Sequence, residues 1–267
     1  MPIITLLTDF GLRDSYVAEM KGAILGICPE ATLIDISHEV APQQVAEAAF
    51  LLAQTVSAFP LGTVHLAVVD PGVGGARRTV AVATQRALLV APDNGLLRPA
   101  LHRLGAYRAV ALENRAFWRC DPPSATFHGR DILAPVAAHL ACGTPLEALG
   151  PGLPALEPLP DLELPARAGD VIHGRIVHID RFGNLISNVP GAWLAPVLRW
   201  TVSLGERLTA TLQRTYCDVR PGVAIALIGG HGYVEIAINA GDAAQALGLG
   251  MGVSIVVSPS RAATAND

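Results

Sequence analysis

The sequence lacks any uninterrupted apolar run of about 18 residues, the length that a membrane-spanning helix needs. It is also poor in charged residues (16%) and in aromatic residues (5%). The N-terminus, MPIITLLTDFG, has neither the basic segment nor the long apolar segment of a signal peptide. These absences predict a cytoplasmic protein with no membrane span.

Two further absences narrow the functional classes. The four cysteines (Cys28, Cys120, Cys142 and Cys217) form no C-x-x-C pair, which predicts buried thiols in a reducing compartment and no zinc site or disulfide framework. The net charge is −4 and no basic stripe is present, so a nucleic-acid partner is not expected. Hydrophobic residues make up 51% of the chain, enough for a large buried core.

The first half alternates short apolar runs with longer amphipathic ones. This pattern predicts an α/β domain with a mostly parallel sheet between helices. The predicted strands are 3–8, 32–36, 64–69, 80–83 and 87–91, and the predicted helices are one capped by Asp14 and running to residue 25, then 43–59 and 131–140.

The chain changes character after residue 150. Five prolines between residues 150 and 170 exclude a regular helix and predict a stiff linker. Short apolar runs at 170–179, 207–212, 223–228, 234–238 and 253–257, with one helix at 241–247, then predict a small antiparallel β-barrel. The predicted organisation is an α/β catalytic domain (1–155), a proline-rich linker (156–170), a β-barrel domain (171–260) and a disordered tail (261–267).

Two predicted strands of the first domain end next to an aspartate, Asp9 and Asp70. A single such residue often does no more than cap the next turn. Ligands of open α/β sheets bind at the carboxyl ends of the strands, so two such aspartates in one sheet indicate a site.

Two loops add candidate residues. The glycine-rich loop 70–77 permits a close approach of the backbone to a ligand and can carry Arg77 back toward Asp70, although an ordinary glycine turn is the simpler interpretation. His128 lies in the segment TFHGRD just before a predicted helix. A metal site would need His65, Asp70, His128 and His139 to converge. We expect no metal, because no compact ligand spacing is present.

The second half offers a possible adenine site. Phe182 can stack on a base and Asn184 can hydrogen-bond to its edge, although a turn with a core phenylalanine fits the same residues. The segment 230–239 is a hairpin by its pattern alone.

Six motifs in order resemble the S-adenosylmethionine (SAM) hydroxide adenosyltransferase family, which is related to fluorinating and chlorinating SAM enzymes. The resemblance spans residues 3–257. Its motifs are T-D-F-G-x-x-D (8–14), D-P-G-V-G-x-x-R (70–77), P-D-N-G (92–95), F-H-G-R-D (127–131), F-G-N (182–184) and G-Y-V-E-I-A-x-N (232–239).

The resemblance implies a function and an assembly. The family hydrolyses SAM to adenosine and methionine without a cofactor, as a homotrimer whose sites lie between the N-terminal domain of one subunit and the C-terminal domain of the next. The implied catalytic residues are Asp70, Arg77 and His128. The implied SAM-binding residues are Asp9 and Asp70 (Asp9 for the ribose), Asp180 (methionine end), Phe182 and Asn184 (adenine), and His231, Glu235 and Asn239.

The residue types suit this chemistry. Water is a poor nucleophile, and Arg77 can stabilise developing hydroxide while Asp70 and His128 orient the water and accept or relay its proton. The family's halogenases carry a tyrosine in place of Asp70 and lack the matching arginine and histidine. Where relatives place a serine for the methionine carboxylate or amine, this chain has Gly230. A SAM halogenase and a non-catalytic adenosine or SAM sensor are the competing hypotheses.

Overall fold

A computed structural model describes residues 1–159, 164–195 and 199–260. The chain divides into two compact units, Met1–Pro160 and Asp161–Asp267. The predicted disordered tail (261–267) lies outside the described residues. Among those residues, no helix is long and apolar enough to cross a membrane.

The first unit is built from seven strands and four α-helices within its described part. These are β1 (Ile3–Thr8), α1 (Tyr16–Ile27), β2 (Thr32–Ser37), α2 (Val45–Thr55), β3 (Thr63–Val68), β4 (Thr79–Thr84), β5 (Ala87–Pro92), α3 (Arg98–Leu104), β6 (Tyr107–Ala111), α4 (Ala134–Ala141) and β7 (Gly152–Leu153).

The strands form one sheet in the order β2-β1-β3-β5-β4-β6-β7. The pairs β1–β2, β1–β3 and β3–β5 are parallel, while β4 and β7 are antiparallel to their neighbours. Five of the seven strands therefore run in the same direction, which confirms the predicted mostly parallel sheet. The central strand β3 is buried along its whole length, as a strand covered on both faces must be.

Helices cover both faces of this sheet. Met20 and Ile24 of α1 share one buried cluster with Val136 of α4. On the opposite face, Leu52 of α2 packs with Leu101 of α3. The layered α/β architecture follows from these two apolar cores.

The predicted cap of the first helix is wrong. Ser15, not Asp14, occupies the N-cap position of α1, and it makes no side-chain cap hydrogen bond. Its hydroxyl donates instead to Glu19 Oε1 at 2.7 Å. The helix predicted at 131–140 begins earlier, as a π-helical turn over Gly129–Leu133 that leads into α4.

The second unit is a closed barrel. Its described elements are β8 (Ala166–Ala168), β9 (Val171–Ile179), β10 (Leu185–Pro190), β11 (Trp200–Leu204), β12 (Leu208–Gln213), β13 (Ala224–Ile228), β14 (Tyr233–Ile238), α5 (Ala243–Leu247) and β15 (Ser254–Pro259). The order β10-β14-β13-β12-β11-β15-β9 closes through a β9–β10 pairing, and β8 adds to β9. Every pairing is antiparallel except β12–β13. The predicted barrel is confirmed, and β8 lies within the segment predicted as linker.

The prediction of four buried cysteines is wrong for three of them. Only Cys28 is buried, while Cys120, Cys142 and Cys217 are exposed. Burial and a hydrogen bond with the Cys142 thiol raise the pKa of Cys28 to about 11. All four are free thiols.

Candidate functional site

Two adjacent parallel strands deliver Asp9 and Asp70 to the same edge of the first sheet. Thr8, the last residue of β1, pairs with Val68, the last residue of β3. Asp9 therefore lies one residue beyond the end of β1, and Asp70 lies two residues beyond the end of the neighbouring strand β3, at the same edge of the sheet. The predicted placement of both aspartates at strand ends is confirmed.

The glycine-rich loop after β3 brings Arg77 back to Asp70. Gly74 has a φ of +76°, a conformation that favours glycine. The Arg77 guanidinium then donates from Nε to Asp70 Oδ1 at 2.9 Å and from Nη2 to Oδ2. The two side chains are only 12% and 6% exposed, so this bidentate pair is largely shielded from water.

His128 completes a contiguous trio with this pair. Arg77 Nη2 also donates to His128 Nδ1 at 2.9 Å. A guanidinium can only donate, so Nδ1 is an acceptor and the neutral ring carries its proton on Nε2. Burial lowers the pKa of His128, and the positive charge of Arg77 lowers it further. His128 is therefore a neutral hydrogen-bond donor at Nε2.

Two polar side chains that the sequence analysis left without a role hold these loops in place. Asn94 Nδ2 donates to the carbonyl of Val69, the residue before Asp70, at 2.9 Å. Asp131 Oδ2 accepts the backbone N–H of Ser124 at 2.9 Å and so fixes the loop that precedes His128. Asn94 lies in the motif at 92–95 and Asp131 in the motif at 127–131. Their membership of these motifs was the only indication of a role that the sequence offered.

Asp131 is itself held as a carboxylate. Arg130 donates to both of its oxygens, and these hydrogen bonds lower the pKa of Asp131 to about 2 despite its burial. The same guanidinium reaches Glu19 of α1 at 2.9 Å and lies 5.0 Å from the ring centre of Phe127. The turn that carries His128 is thus tied to the neighbouring helix.

Asp9 keeps one carboxylate oxygen free. Its Oδ2 accepts the backbone N–H of Gln43 at 2.7 Å, and Gln43 adopts a φ of +66°, uncommon for a residue with a side chain. Asp9 Oδ1 has no hydrogen-bond partner in the described part of the chain. Such an oxygen is available to accept hydrogen bonds from a ligand hydroxyl.

An aromatic cluster joins the loops of Asp9 and His128. The rings of Phe10, Tyr16 and Phe127 lie 5.3–5.8 Å apart in tilted or edge-to-face pairs. Phe10 and Phe127 are the sequence neighbours of Asp9 and His128. This packing holds the two polar residues on one surface.

The second unit contains the other six predicted site residues. Asp180 Oδ1 accepts the backbone N–H groups of Phe182 and Asn184 at 2.9 Å each, and Oδ2 accepts from Asn184 Nδ2 at 2.9 Å. Asn184 is buried in this turn, whereas Phe182 is 74% exposed. The alternative of a core phenylalanine is therefore wrong, and the Phe182 ring is free to stack on a ligand.

Glu235 is a buried carboxylate beside this turn. Its Oε1 accepts the Tyr216 hydroxyl at 2.6 Å. Burial raises the pKa of Glu235 and the negative charge of Asp180 adds to that, while the Tyr216 hydrogen bond and His231 oppose the rise. Tyr216 was not identified from the sequence, because none of the six motifs includes it.

The remaining predicted residues of this unit lie at the ends of β14. His231 is exposed in the turn before the strand. Gly230 beside it has open space where a side chain would be. Asn239 is structurally occupied, since its Nδ2 donates to the Val219 carbonyl at 2.7 Å.

The histidines that a metal site would have required have other surroundings. His65 is fully buried in β3, with Nδ1 hydrogen-bonded to Thr5 Oγ1 at 2.8 Å. His139 packs edge-to-face on Phe117. Among the described residues, no three His, Cys, Asp or Glu side chains are grouped so that they could hold a metal ion.

The chain is similar to known proteins over nearly its whole length. Residues 4–150 match the SAM hydroxide adenosyltransferase N-terminal domain, and residues 174–256 match the C-terminal domain. An (R)-S-adenosyl-L-methionine hydrolase of Salinispora tropica is 44% identical over 254 residues, which cover 93% of this chain and 94% of the relative. A fluorinase of an Actinoplanes species is 30% identical, over 96% of this chain and 97% of the fluorinase.

The fold is also seen in a solved structure. An uncharacterized conserved protein from Thermotoga maritima is similar with a TM-score of 0.90 and 37% sequence identity. The similarity covers 96% of this chain and 99% of that protein. Both units of this chain therefore have structural counterparts in one relative.

Proposed function

Because the chain belongs to the SAM hydroxide adenosyltransferase family, we propose that it hydrolyses SAM to adenosine and L-methionine. The observation that carries the proposal is the contact of Arg77 with both Asp70 and His128. This trio lies at the carboxyl edge of the sheet, where α/β proteins bind their ligands. The relatives' name also leads us to propose the (R) epimer at sulfur as the substrate.

The reaction is a single displacement at C5′ of the ribose. A water oxygen forms a bond to C5′ while the C5′–S bond breaks and its electron pair returns to sulfur. Methionine leaves as a neutral thioether, so no acid is needed to protonate the leaving group. The attacking water must lose a proton, and this is the step that the protein assists. SAM is the substrate, and the reaction as written needs no cofactor.

The hydrogen-bond directions assign roles to the three side chains. His128, neutral and protonated on Nε2, donates to the water oxygen and orients it. Arg77 places a fixed positive charge beside the oxygen as hydroxide character develops. His128 Nδ1 is already occupied by Arg77, so the proton passes to the Asp70 carboxylate. We therefore propose Asp70 as the proton acceptor and His128 as the group that orients the water, whereas the sequence left open which of the three side chains accepts the proton.

Substrate binding falls to the other predicted residues. The free oxygen of Asp9 accepts from a ribose hydroxyl. The exposed ring of Phe182 stacks on adenine, and Asn184 contacts the base through the oxygen that its bond to Asp180 leaves free. Asp180 serves the methionine end. His231, Glu235 and Asn239 complete the set, with Asn239 acting through the backbone that it supports.

We include a homotrimer in the proposal, with each SAM site formed by the first unit of one subunit and the second unit of another. The family resemblance supports this assembly, and a cytoplasmic location stays a prediction. A variant that remains folded but monomeric by light scattering should have lost SAM hydrolysis. An active monomer would contradict the shared site.

The decisive experiment is incubation with SAM in ¹⁸O-labelled water, followed by chromatography and mass spectrometry of the products. Displacement by water puts one label on adenosine and none on methionine. A 5′-halo-5′-deoxyadenosine product in the presence of chloride or fluoride would indicate a halogenase. Recovery of intact SAM at its spontaneous rate of breakdown would indicate a sensor.

A further inference from the structure

A cleft of 410 Å³ in the first unit opens beside the catalytic trio. Arg77 and His128 line it, and Thr79, Glu113, Arg115 and Trp118 are among its other lining residues. Asp9 and Asp70 are not part of its wall. Glu113 and Arg115 are exposed, so the cleft connects Arg77 and His128 with the surface of this unit.

Several hydrogen-bond donors in the wall of this cleft have no acceptor in the described part of the chain. Arg77 uses Nε and Nη2 on Asp70 and His128, which leaves both hydrogens of Nη1 without a protein partner. His128 Nε2 carries a proton and has no protein acceptor. The Trp118 indole N–H is buried without a partner.

Donors of this kind point to one class of occupant. A buried N–H without an acceptor destabilises the fold. Proteins satisfy such groups with ordered water or another small hydrogen-bond acceptor. The cleft volume is far above the roughly 10–15 Å³ that a single water needs. Two of the three donor groups belong to Arg77 and His128, the side chains that the proposed mechanism places at the nucleophile.

We propose that this cleft holds and supplies the water that attacks C5′. The inference rests on the proposed hydrolysis of SAM. In-line displacement requires the water to approach C5′ from the side opposite to sulfur. A cleft that reaches Arg77 and His128 through the protein supplies water there while the adenosine and methionine groups remain bound.

The test narrows the cleft at its rim without touching the trio. Glu113→Trp adds bulk at an exposed lining position, and Glu113→Ala removes the same charge without bulk. We expect Glu113→Trp to lower kcat by about 10-fold or more and to leave adenosine affinity within about twofold, while Glu113→Ala keeps wild-type kcat. Turnover is followed by chromatography and affinity by calorimetry.

Trp118→Phe provides a second variant, since it removes the indole N–H and keeps an aromatic ring. We expect Trp118→Phe to lower kcat by about 3-fold or more and to leave adenosine affinity unchanged. Wild-type kcat in both Glu113→Trp and Trp118→Phe would overturn the proposal. A parallel loss of adenosine affinity in Glu113→Trp would also overturn it, because the cleft would then be part of the substrate pocket.

The proposed hydrolysis of SAM and the proposed role of the cleft can be refuted separately. Wild-type protein that releases no adenosine from SAM would refute the proposed function itself. Active wild-type protein with an equally active Glu113→Trp variant would refute only the role of the cleft. A wild-type rate that rises with chloride at constant ionic strength would assign the same donors to a small anion and overturn the assignment to water.

Discussion

Arg77 donates to His128 Nδ1 at 2.9 Å while the same guanidinium holds both oxygens of Asp70. One side chain therefore sets the tautomer of the histidine and the orientation of the carboxylate at the same time. The geometry for acting on water is held by contacts among the protein's own side chains, so little reorganisation of these groups accompanies the reaction.

Replacing Arg77 should separate rate from binding. Arg77→Ala removes charge aimed at the developing hydroxide, so we expect kcat to fall by about 100-fold or more with adenosine affinity nearly intact. Arg77→Lys should recover little, because an ammonium cannot reproduce the forked contact with Asp70 and His128. Steady-state kinetics and calorimetry measure the two effects. Full turnover in Arg77→Ala would contradict the water-activation mechanism.

The pH dependence of turnover should report His128. The pKa of His128 lies below its ordinary value of 6.5, so the ring is still neutral at pH 6.5 and becomes protonated only at a lower pH. Protonation of Nδ1 would set a cation against Arg77, so kcat/KM should decline on the acid side. His128→Asn keeps an acceptor for Arg77 but cannot titrate. It should be slower and lack this acid limb, and an unchanged limb would assign the titration to another group.

Asp9 should matter for binding more than for chemistry. Asp9→Ala removes a charged acceptor of ribose hydroxyls, so adenosine affinity should fall by roughly 1.5–3 kcal/mol, about 10- to 100-fold. Asp9→Asn keeps an oxygen for the Gln43 N–H and serves as the matched control for the loop. Calorimetry with adenosine measures both variants. Unchanged affinity in Asp9→Ala would remove Asp9 from the site.

Gly74→Ala should disturb the trio through the backbone. A Cβ at Gly74 would lie 2.3 Å from the Ala125 carbonyl oxygen, in the segment that leads to His128. Gly62→Ala is the control, because Gly62 also has a positive φ (+82°) but meets nothing within 4 Å. We expect Gly62→Ala to cost about 1–3 kcal/mol of unfolding free energy with normal kcat. Gly74→Ala should lower the unfolding free energy by more than Gly62→Ala does and should also lower kcat. If the two variants have the same stability and kcat, the close approach of residue 74 to the Ala125 carbonyl is unimportant.

His65 should make folding stability depend on pH. Burial lowers the pKa of His65 from 6.5 to about 4, so its neutral form favours the fold. The stability is complete above pH 6.5 and is lost as the pH falls toward 4, by about 3 kcal/mol in total. Denaturant unfolding across this range should show the loss. His65→Gln, which keeps a partner for Thr5, should remove that dependence, whereas the exposed His102→Gln should leave it intact.

The strands of the fold were predictable where the hydrophobic pattern of the sequence alone determines them. The predominantly apolar runs before Asp9 and Asp70 predicted β1 and β3 correctly, because a strand covered by helices on both faces is mostly apolar. The strand β10 was missed because Ser187 interrupts its apolar pattern. Ser187 is nevertheless fully buried, since its hydroxyl donates to the Val234 carbonyl at 2.7 Å. The strand β11 was also missed, although the inward alternation of Trp200, Val202 and Leu204 is the pattern that predicts a strand.

The site was predictable as a set of motifs but not as a set of contacts. Glycines in the loop 70–77 indicated that Arg77 could return to Asp70, and it does. The acceptor role of His128 Nδ1 depends on a contact between residues 51 positions apart, which no local pattern encodes. The same holds for Tyr216, which lies in a turn after β12 and whose partner Glu235 lies 19 positions later on β14.

The closed barrel of the second unit has a consequence for behaviour at high concentration. Each of the seven strands in the ring is paired on both sides, so the ring itself presents no open edge to which a strand of another chain could add. The exception within the described residues is the outer side of β8, only three residues long (Ala166–Ala168). Edge-to-edge aggregation through the barrel of this unit therefore has little template, so β-mediated self-association at high concentration should not involve the ring.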